Sequence, residues 1–379
     1  MTLVYQRDST AGARLHGLVI GCGRFPWLPA DLDANRQACF DSGVEMVRFL
    51  ARHADQFEPR LATIDCLLAD PRVDPANAPD LLPADPGLPD LQAGPVDRPL
   101  AVNVRAAFNA LLARCRPGDS IFFYSTSHGV AGRDEVGLLV LEDAGSDEGD
   151  KWAQLLDVKS VAQYLPARAK AGNVWIFMDA CQEVLEELKD QAGGLNPLRP
   201  MTVSSTAMAL YPVRSTALAA ARYGTQTHAP RAGGVAYFTQ ALLDGLGQSC
   251  VEKRGGQWRV TAQQIVYGLE RVARAAGVPP IETTPLLIDT RAGHLLTLAN
   301  PSIPVHIVSR PTQLVGTASS AYLLGQDSTP QFAKQPNVDW RFRVPASPDA
   351  YQIHVDAVDG ALTATLEIDP PAVEWELSR

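Results

Sequence analysis

The chain has 379 residues, 46% hydrophobic and 20% charged, enough apolar material for a full core, which excludes wholesale disorder. Its 33 Lys and Arg against 42 Asp and Glu give a formal charge of −9, the wrong sign for neutralising phosphates, so nucleic acid is not an expected partner. No stretch reaches the roughly 18 apolar residues of a membrane helix, and Arg7, Asp8 and Arg14 interrupt the place of a secretory leader; a cytoplasmic chain with no membrane association is expected.

Leu15 to Gly23 (LHGLVIGCG) predicts a buried parallel strand, and Val44, Val47, Leu50 and Ala51 then recur at helical spacing. Leu61 to Leu68 predicts a second strand. Eight prolines between Pro71 and Pro99 forbid regular structure, so an exposed irregular loop is expected there. Val104, Phe108, Leu111, Leu112 and Cys115 mark a helix face, and Ser120 to Ser125 (SIFFYS) a strand. A hairpin-like piece at Gly137 to Leu141 precedes a helix from Val158 to Ala169, a buried strand at Asn173 to Met178 (NVWIFM) and another at Met201 to Ser205. Helix faces follow at Val235, Phe238, Leu242, Leu246 and at Ile265, Leu269, Val272, Ala276. This alternation predicts an α/β fold, a mostly parallel sheet flanked by helices on both faces. After Asn300 come only short alternating runs (IPVHIV, SAYLL, DWRFRV, YQIHVDAV, LTATLEI), which predict a small antiparallel sandwich-like β domain. The expected domains are residues 1–299 and 300–379.

Six cysteines (22, 39, 66, 115, 181 and 250) include no CxxC pair, so neither a metal cluster nor a disulfide framework is expected and each is judged singly. Cys181 follows NVWIFM through Asp179 and Ala180, and His128 follows SIFFYS in YSTSHG. Ligands and reactive groups collect at the carboxyl ends of strands in such sheets, so both residues should emerge from one edge. A thiol becomes a strong nucleophile as thiolate, and a neighbouring imidazole is the common means to that end. The N–H groups of Gly129 and Cys181 could then form an oxyanion hole. The plainer alternatives are a core thiol and a structural histidine. Cys22 in GCG is expected to pack beside a tight turn, and GCGRFP lacks the third glycine of a dinucleotide loop.

SHG and DAC, each closing a hydrophobic strand and 53 positions apart, resemble the caspase-like cysteine peptidases, the clan of caspases, metacaspases and bacterial CHAT proteases; a histidine about 50 residues before the cysteine is a known caspase pattern. GLVIGCGRFPWLP resembles the family's opening strand and loop, RPGDSIFFYSTSHG its histidine strand and GRDEVGLLVLEDA the hairpin behind it. GGVAYFTQALLDGL resembles its late glycine-led helix, and TPLL near Pro285 a closing strand. The resemblance implies a caspase-like cysteine endopeptidase of bacterial type without a cofactor, with Cys181 as nucleophile and His128 as general base and then acid. Asp179 falls where metacaspase-like enzymes place an S1 carboxylate for Arg or Lys at P1; the plainer alternative, the less favoured of the two, is a turn-forming or strand-capping aspartate. Asp41, in competition with Ser42, would supply a second S1 carboxylate, and Ser204 and Ser205 the opposite pocket wall.

The chain departs from the family at Ser127, where a glycine is usual, and at Gln182-Glu183-Val184, which replaces the His-Ser-Gly of metacaspases. Glu142, Asp143, Asp147, Glu148 and Asp150 raise the question of Ca²⁺ activation, but their spacing lacks the regular pattern of oxygen ligands, and a solvated loop is the expectation. Self-cleavage after Lys189 competes with an uncut surface loop between Glu183 and Pro200. The implied partners are a protein or peptide substrate and an upstream activating protease or regulator, for a zymogen in a bacterial defence or stress pathway with the two long loops as latches. The competing function is a catalytically silent scaffold of the same fold that binds a protein through its β domain.

Overall fold

A computed structural model describes residues 2–7, 12–28, 37–131, 137–150, 152–169, 171–184, 214–230, 233–288, 293–310, 318–324, 330–334, 339–346, 351–357, 362–366 and 370–378. Packing divides the chain into two units, Met1–Gln240 with Ile281–Leu295, and Ala241–Pro280 with Leu296–Arg379. The segment Ala241–Pro280, grouped by its sequence with the first 299 residues, therefore packs with the C-terminal strands.

The first unit is α/β. Its central sheet joins β1 (Leu3–Gln6), β2 (Leu15–Cys22), β3 (Leu61–Ala69), β6 (Ser120–Thr126), β10 (Asn173–Asp179), β12 (Arg214–Ala219) and β15 (Thr284–Ile288) in the order β1-β3-β2-β6-β10-β12-β15. The five inner strands are parallel, and the edge strands β1 and β15 run antiparallel to their neighbours. Every residue of β2, β3 and β6 is buried, which a sheet allows only when both faces are covered. Leu18, Ile20, Ile121, Phe123, Val174 and Ile176 point to one face, where Val104, Phe108 and Leu111 of α2 (Ala101–Arg114) and Val161 and Leu165 of α3 (Val158–Ala169) cover them. On the other face α1 (Gln37–Arg52) lies against β2, and two glycines permit the approach. A Cβ on Gly21 would stand 3.0 Å from the Cys39 carbonyl oxygen and 3.2 Å from Gly43 Cα.

A second sheet in this unit, ordered β11-β7-β8-β9, comprises β7 (Gly129–Ala131), β8 (Gly137–Val140), β9 (Leu155–Asp157) and β11 (Glu183–Val184). It grows directly out of the carboxyl ends of β6 and β10.

Two expectations need correction. The Pro71–Pro99 segment is not simply an exposed loop: Leu81–Leu82 (β4) pairs with Gly94–Pro95 (β5), and Asp80, Leu82, Leu91 and Val96 are buried. Proline removes amide donors, so this segment is held by side chains, above all by Asp80 on Arg24 at 2.7 Å. Nor is the acidic cluster wholly a solvated loop. Glu142 is fully buried between Arg24 at 2.6 Å and Arg98 at 2.7 Å, and Asp143 accepts the Ala101 N–H at the positive end of α2. Asp147, Glu148 and Asp150 are exposed, and among the described residues no group of three His, Cys, Asp or Glu could hold a metal ion. The predicted strand Met201–Ser205 lies outside the described residues, and the strand beside β10 is Arg214–Ala219.

The second unit pairs a hairpin, β13 (Val251–Arg254) and β14 (Gln257–Thr261), with two C-terminal sheets. One is ordered β20 (Asp339–Pro345), β17 (Ser302–Arg310), β23 (Val373–Ser378); the other β19 (Pro330–Lys334), β18 (Ala318–Leu324), β21 (Tyr351–Ala357), β22 (Leu362–Leu366). β17 and β23 are parallel, so this all-β region is not wholly antiparallel. The helix Ala262–Ala276 belongs with these strands: it buries Ile265, Leu269 and Val272, and Arg271 donates to the Ala372 carbonyl at 2.6 Å. No described helix is long and apolar enough to cross a membrane.

Gly43→Ala tests the helix–sheet contact. Alanine favours a helix by about 1 kcal/mol over glycine, but here its methyl would stand 3.1 Å from the backbone of Gly21, and overpacking costs about 1–3 kcal/mol. A net loss of about 1 kcal/mol and a melting temperature lower by a few degrees are expected; an unchanged or raised value would contradict the close contact.

Candidate functional site

β6 and β10 are in register from Ser120↔Asn173 to Thr126↔Asp179, so the two strands end level. His128 and Cys181 each lie two residues beyond that last pair. Adjacent strands are about 4.8 Å apart, and the two side chains therefore leave the sheet side by side. Past them the chains pair again, Glu183 with Val130 and Val184 with Ala131. Between these two pairings Gly129 lies so close to the cysteine segment that a Cβ would come to 2.1 Å from the Cys181 carbonyl oxygen. Glycine is needed here for a contact inside the protein, a more immediate reason than the approach of a substrate.

His128 and Cys181 line one cavity of ≈540 Å³ together with Asp179, Thr126, Ser127, Glu183, the segment 226–230 and the first turn of α1. The His128 ring meets Phe25, centroid to centroid 4.7 Å. Its carbonyl accepts the Val140 N–H at 2.9 Å, and Ser127 Oγ donates to the Val140 carbonyl at 2.6 Å. Cys181 is half-buried, and its Sγ accepts the Thr227 N–H at 3.4 Å and lies 3.7 Å from the Thr227 carbonyl oxygen. Burial raises the Cys22, Cys66 and Cys250 thiols well above their ordinary value and pushes Cys115 up to about 12, so these four are poor nucleophiles at neutral pH. Cys22 packs as expected, its thiol directed at the Arg24 carbonyl.

Asp179 forms part of the cavity wall. Thr239, in the first turn of α4 (Tyr237–Asp244), donates to it at 2.5 Å and in turn bonds the Tyr124 hydroxyl; Thr227 Oγ1 reaches its other oxygen at 3.5 Å. Burial pushes its carboxyl up to about 6 against these donors. Among the described residues no Lys or Arg forms an ion pair with it. Asp41 is placed elsewhere: its carboxylate accepts the Gly234 N–H at 3.0 Å while Ser42 accepts that of Ala236, and neither residue lines the cavity. Ser204, Ser205 and Lys189 lie outside the described residues.

Sequence reasoning passed over two residues. Thr227 meets Sγ through its backbone, for which a side-chain pattern gives no sign, and Asp179 through its hydroxyl. Gln182, noted only as a departure from the family, is buried and ties the cysteine turn to the next one through its N–H to Thr225, its carbonyl from Gly224 and its amide to Ala221.

No family model matches the chain. An uncharacterized protein, y4kE, of Sinorhizobium fredii is 33% identical over 220 residues, 56% of this chain; the match spans 59% of that protein's length. A crystal structure of protein GSU0716 from Geobacter sulfurreducens aligns with a TM-score of 0.41 at 10% identity, over 72% of this chain and 92% of that one.

Two substitutions test the geometry. Gly129→Ala forces a methyl onto a backbone carbonyl that cannot swing aside, and a loss of about 3 kcal/mol in denaturant unfolding is expected; a loss below about 1 kcal/mol contradicts the contact. Asp179→Asn tests the buried charge. Because the folded carboxyl titrates near 6, above the ordinary 3.8, its favourable contribution is complete below 3.8 and lost as pH rises through 6. The melting temperature of the variant minus that of the wild type should therefore be greater at pH 7.5 than at pH 4.5, by the equivalent of about 2 kcal/mol. A difference independent of pH would show that Asp179 is not buried as a charge.

Proposed function

We propose that the protein is a cysteine endopeptidase of the caspase-like type that cleaves polypeptides after Arg or Lys. The observation that carries this reading is the convergence of His128, Cys181 and the buried, unneutralised Asp179 on one cavity at the carboxyl edge of a parallel sheet. In the proposed reaction the Cys181 thiolate attacks the scissile carbonyl, and the oxyanion is held by the N–H groups of Gly129 and Cys181. His128 gives its proton to the leaving amine, then takes one from water to release the acid from the acyl-enzyme. A P1 guanidinium or ammonium supplies the cation that Asp179 lacks, a charge-assisted bond made only by the right substrate.

Fluorogenic peptides with Arg, Lys or Asp at P1 test the reading. Turnover of Arg and Lys peptides, and not of Asp, is expected, with a fall of at least roughly 10³-fold in Cys181→Ala and His128→Ala. Asp179→Asn should lower kcat/KM for the Arg peptide about 10- to 100-fold, the worth of a charged hydrogen bond. Wild-type kcat/KM on that peptide should fall as pH drops through about 6, where Asp179 takes up a proton. If no peptide turns over with or without Ca²⁺ and after limited proteolysis, and Cys181 is no more reactive than the other thiols, the silent scaffold is the better description.

A further inference from the structure

The ring that packs against His128 has an unusual foundation. Phe25 is 1% exposed and sits among Cys22, Ala69, Val130, Leu138, Val140, Ala144 and Leu155, beneath the small sheet that continues the site strands. The preceding residue, Arg24, is itself buried, and its guanidinium has four partners. Nε donates to Glu142 at 2.6 Å, Nη2 to Asp80 at 2.7 Å, and Nη1 to the carbonyls of Asp70 at 2.8 Å and Val73 at 2.7 Å. Glu142 lies two residues beyond Val140, whose backbone holds both His128 and Ser127. The imidazole is thus fixed from two directions, by its backbone on Val140 and by its ring on Phe25, and both supports end on the Arg24–Glu142 pair.

We propose that Phe25, seated by Arg24, is a positioning residue for His128, and that the Arg24–Glu142–Asp80 cluster is the anchor of the histidine and not merely of the proline-rich segment. The inference rests on the Cys181–His128 dyad proposed above. An aromatic ring tilted at 56° against the imidazole restricts its rotation, and a tilted pair of this kind is favourable beyond simple burial. Neither Phe25 nor Arg24 lines the cavity, so their removal leaves the substrate's contacts in place. A guanidinium with four fixed partners has no equivalent in lysine, whose ammonium is a point charge without the planar fork.

The test is the pH dependence of Cys181 alkylation by iodoacetamide, followed by mass spectrometry of the Cys181 peptide in the full chain. It compares wild type, His128→Ala, Phe25→Leu, Phe25→Met and Arg24→Lys, each with its melting temperature. The leucine and methionine variants refill the apolar site, so that at least one folded protein lacks the ring contact. In wild type the rate should rise at a pH well below the roughly 8.5 of an ordinary thiol, and in His128→Ala near that value. The inflection of folded Phe25→Leu or Phe25→Met should move upward by about one pH unit or more toward that of His128→Ala, and Arg24→Lys in the same direction. A wild-type inflection in the Phe25 variants, with His128→Ala displaced, overturns the positioning role and leaves the dyad intact. A wild-type inflection in His128→Ala overturns the dyad itself. A purely structural role would lower the melting temperature without moving the inflection.

Discussion

The register between β6 and β10 is the constraint on which the site depends. Seven consecutive pairs bring the strands to a common end at Thr126 and Asp179, and the two reactive side chains follow at equal distance beyond it. A slip of one residue would carry one chain along the edge by about 3.3 Å and turn its side chains to the opposite face. That register is secured by burial on both faces: Ile121, Phe123, Val174 and Ile176 on one side and the Phe122–Phe177 ring pair on the other. Core packing and reactive geometry are therefore the same requirement.

Two buried carboxylates near this edge have opposite electrostatic fates. Glu142 is compensated by two guanidinium groups and acts as mortar between the opening loop, the proline-rich segment and the strand behind the histidine. Among the described residues Asp179 is met by neutral threonine donors, and burial makes its carboxyl harder to ionise. A buried charge left short of a counterion destabilises a fold, which is the cost that the proposed P1 cation would relieve. The sequence alone does not separate the two acids; the difference lies in which residues the fold brings beside them.

The inner strands were legible because LHGLVIGC, SIFFYST and NVWIFMD are apolar runs of strand length, and with them the edge from which His128 and Cys181 emerge. The strand RSTALA was not. Its small residues and alanines have no strong extended preference, and its place is set by neighbours that pair with it on both sides. The partner of Asp41 was not legible because a helix position fixes a face but not a partner; its carboxylate accepts the Gly234 N–H. The proline-rich segment was misread for a related reason. Proline content reports the loss of amide donors, but not a single buried aspartate, Asp80, that fastens the segment to Arg24.

The contact between Gly129 and the Cys181 carbonyl also limits how the cavity can open. Two backbones that touch there cannot slide past one another, so the histidine and cysteine segments are joined in one jaw of the site. The opposing jaw is of another kind. It consists of the run from Gln226 to Pro230 and the first turn of α1; Gln226 and Thr227 meet the first jaw through hydrogen bonds to Glu183, Sγ and Asp179. The Thr227 side of the cleft is thus joined to the strand ends through hydrogen bonds, whereas the histidine and cysteine segments meet backbone to backbone.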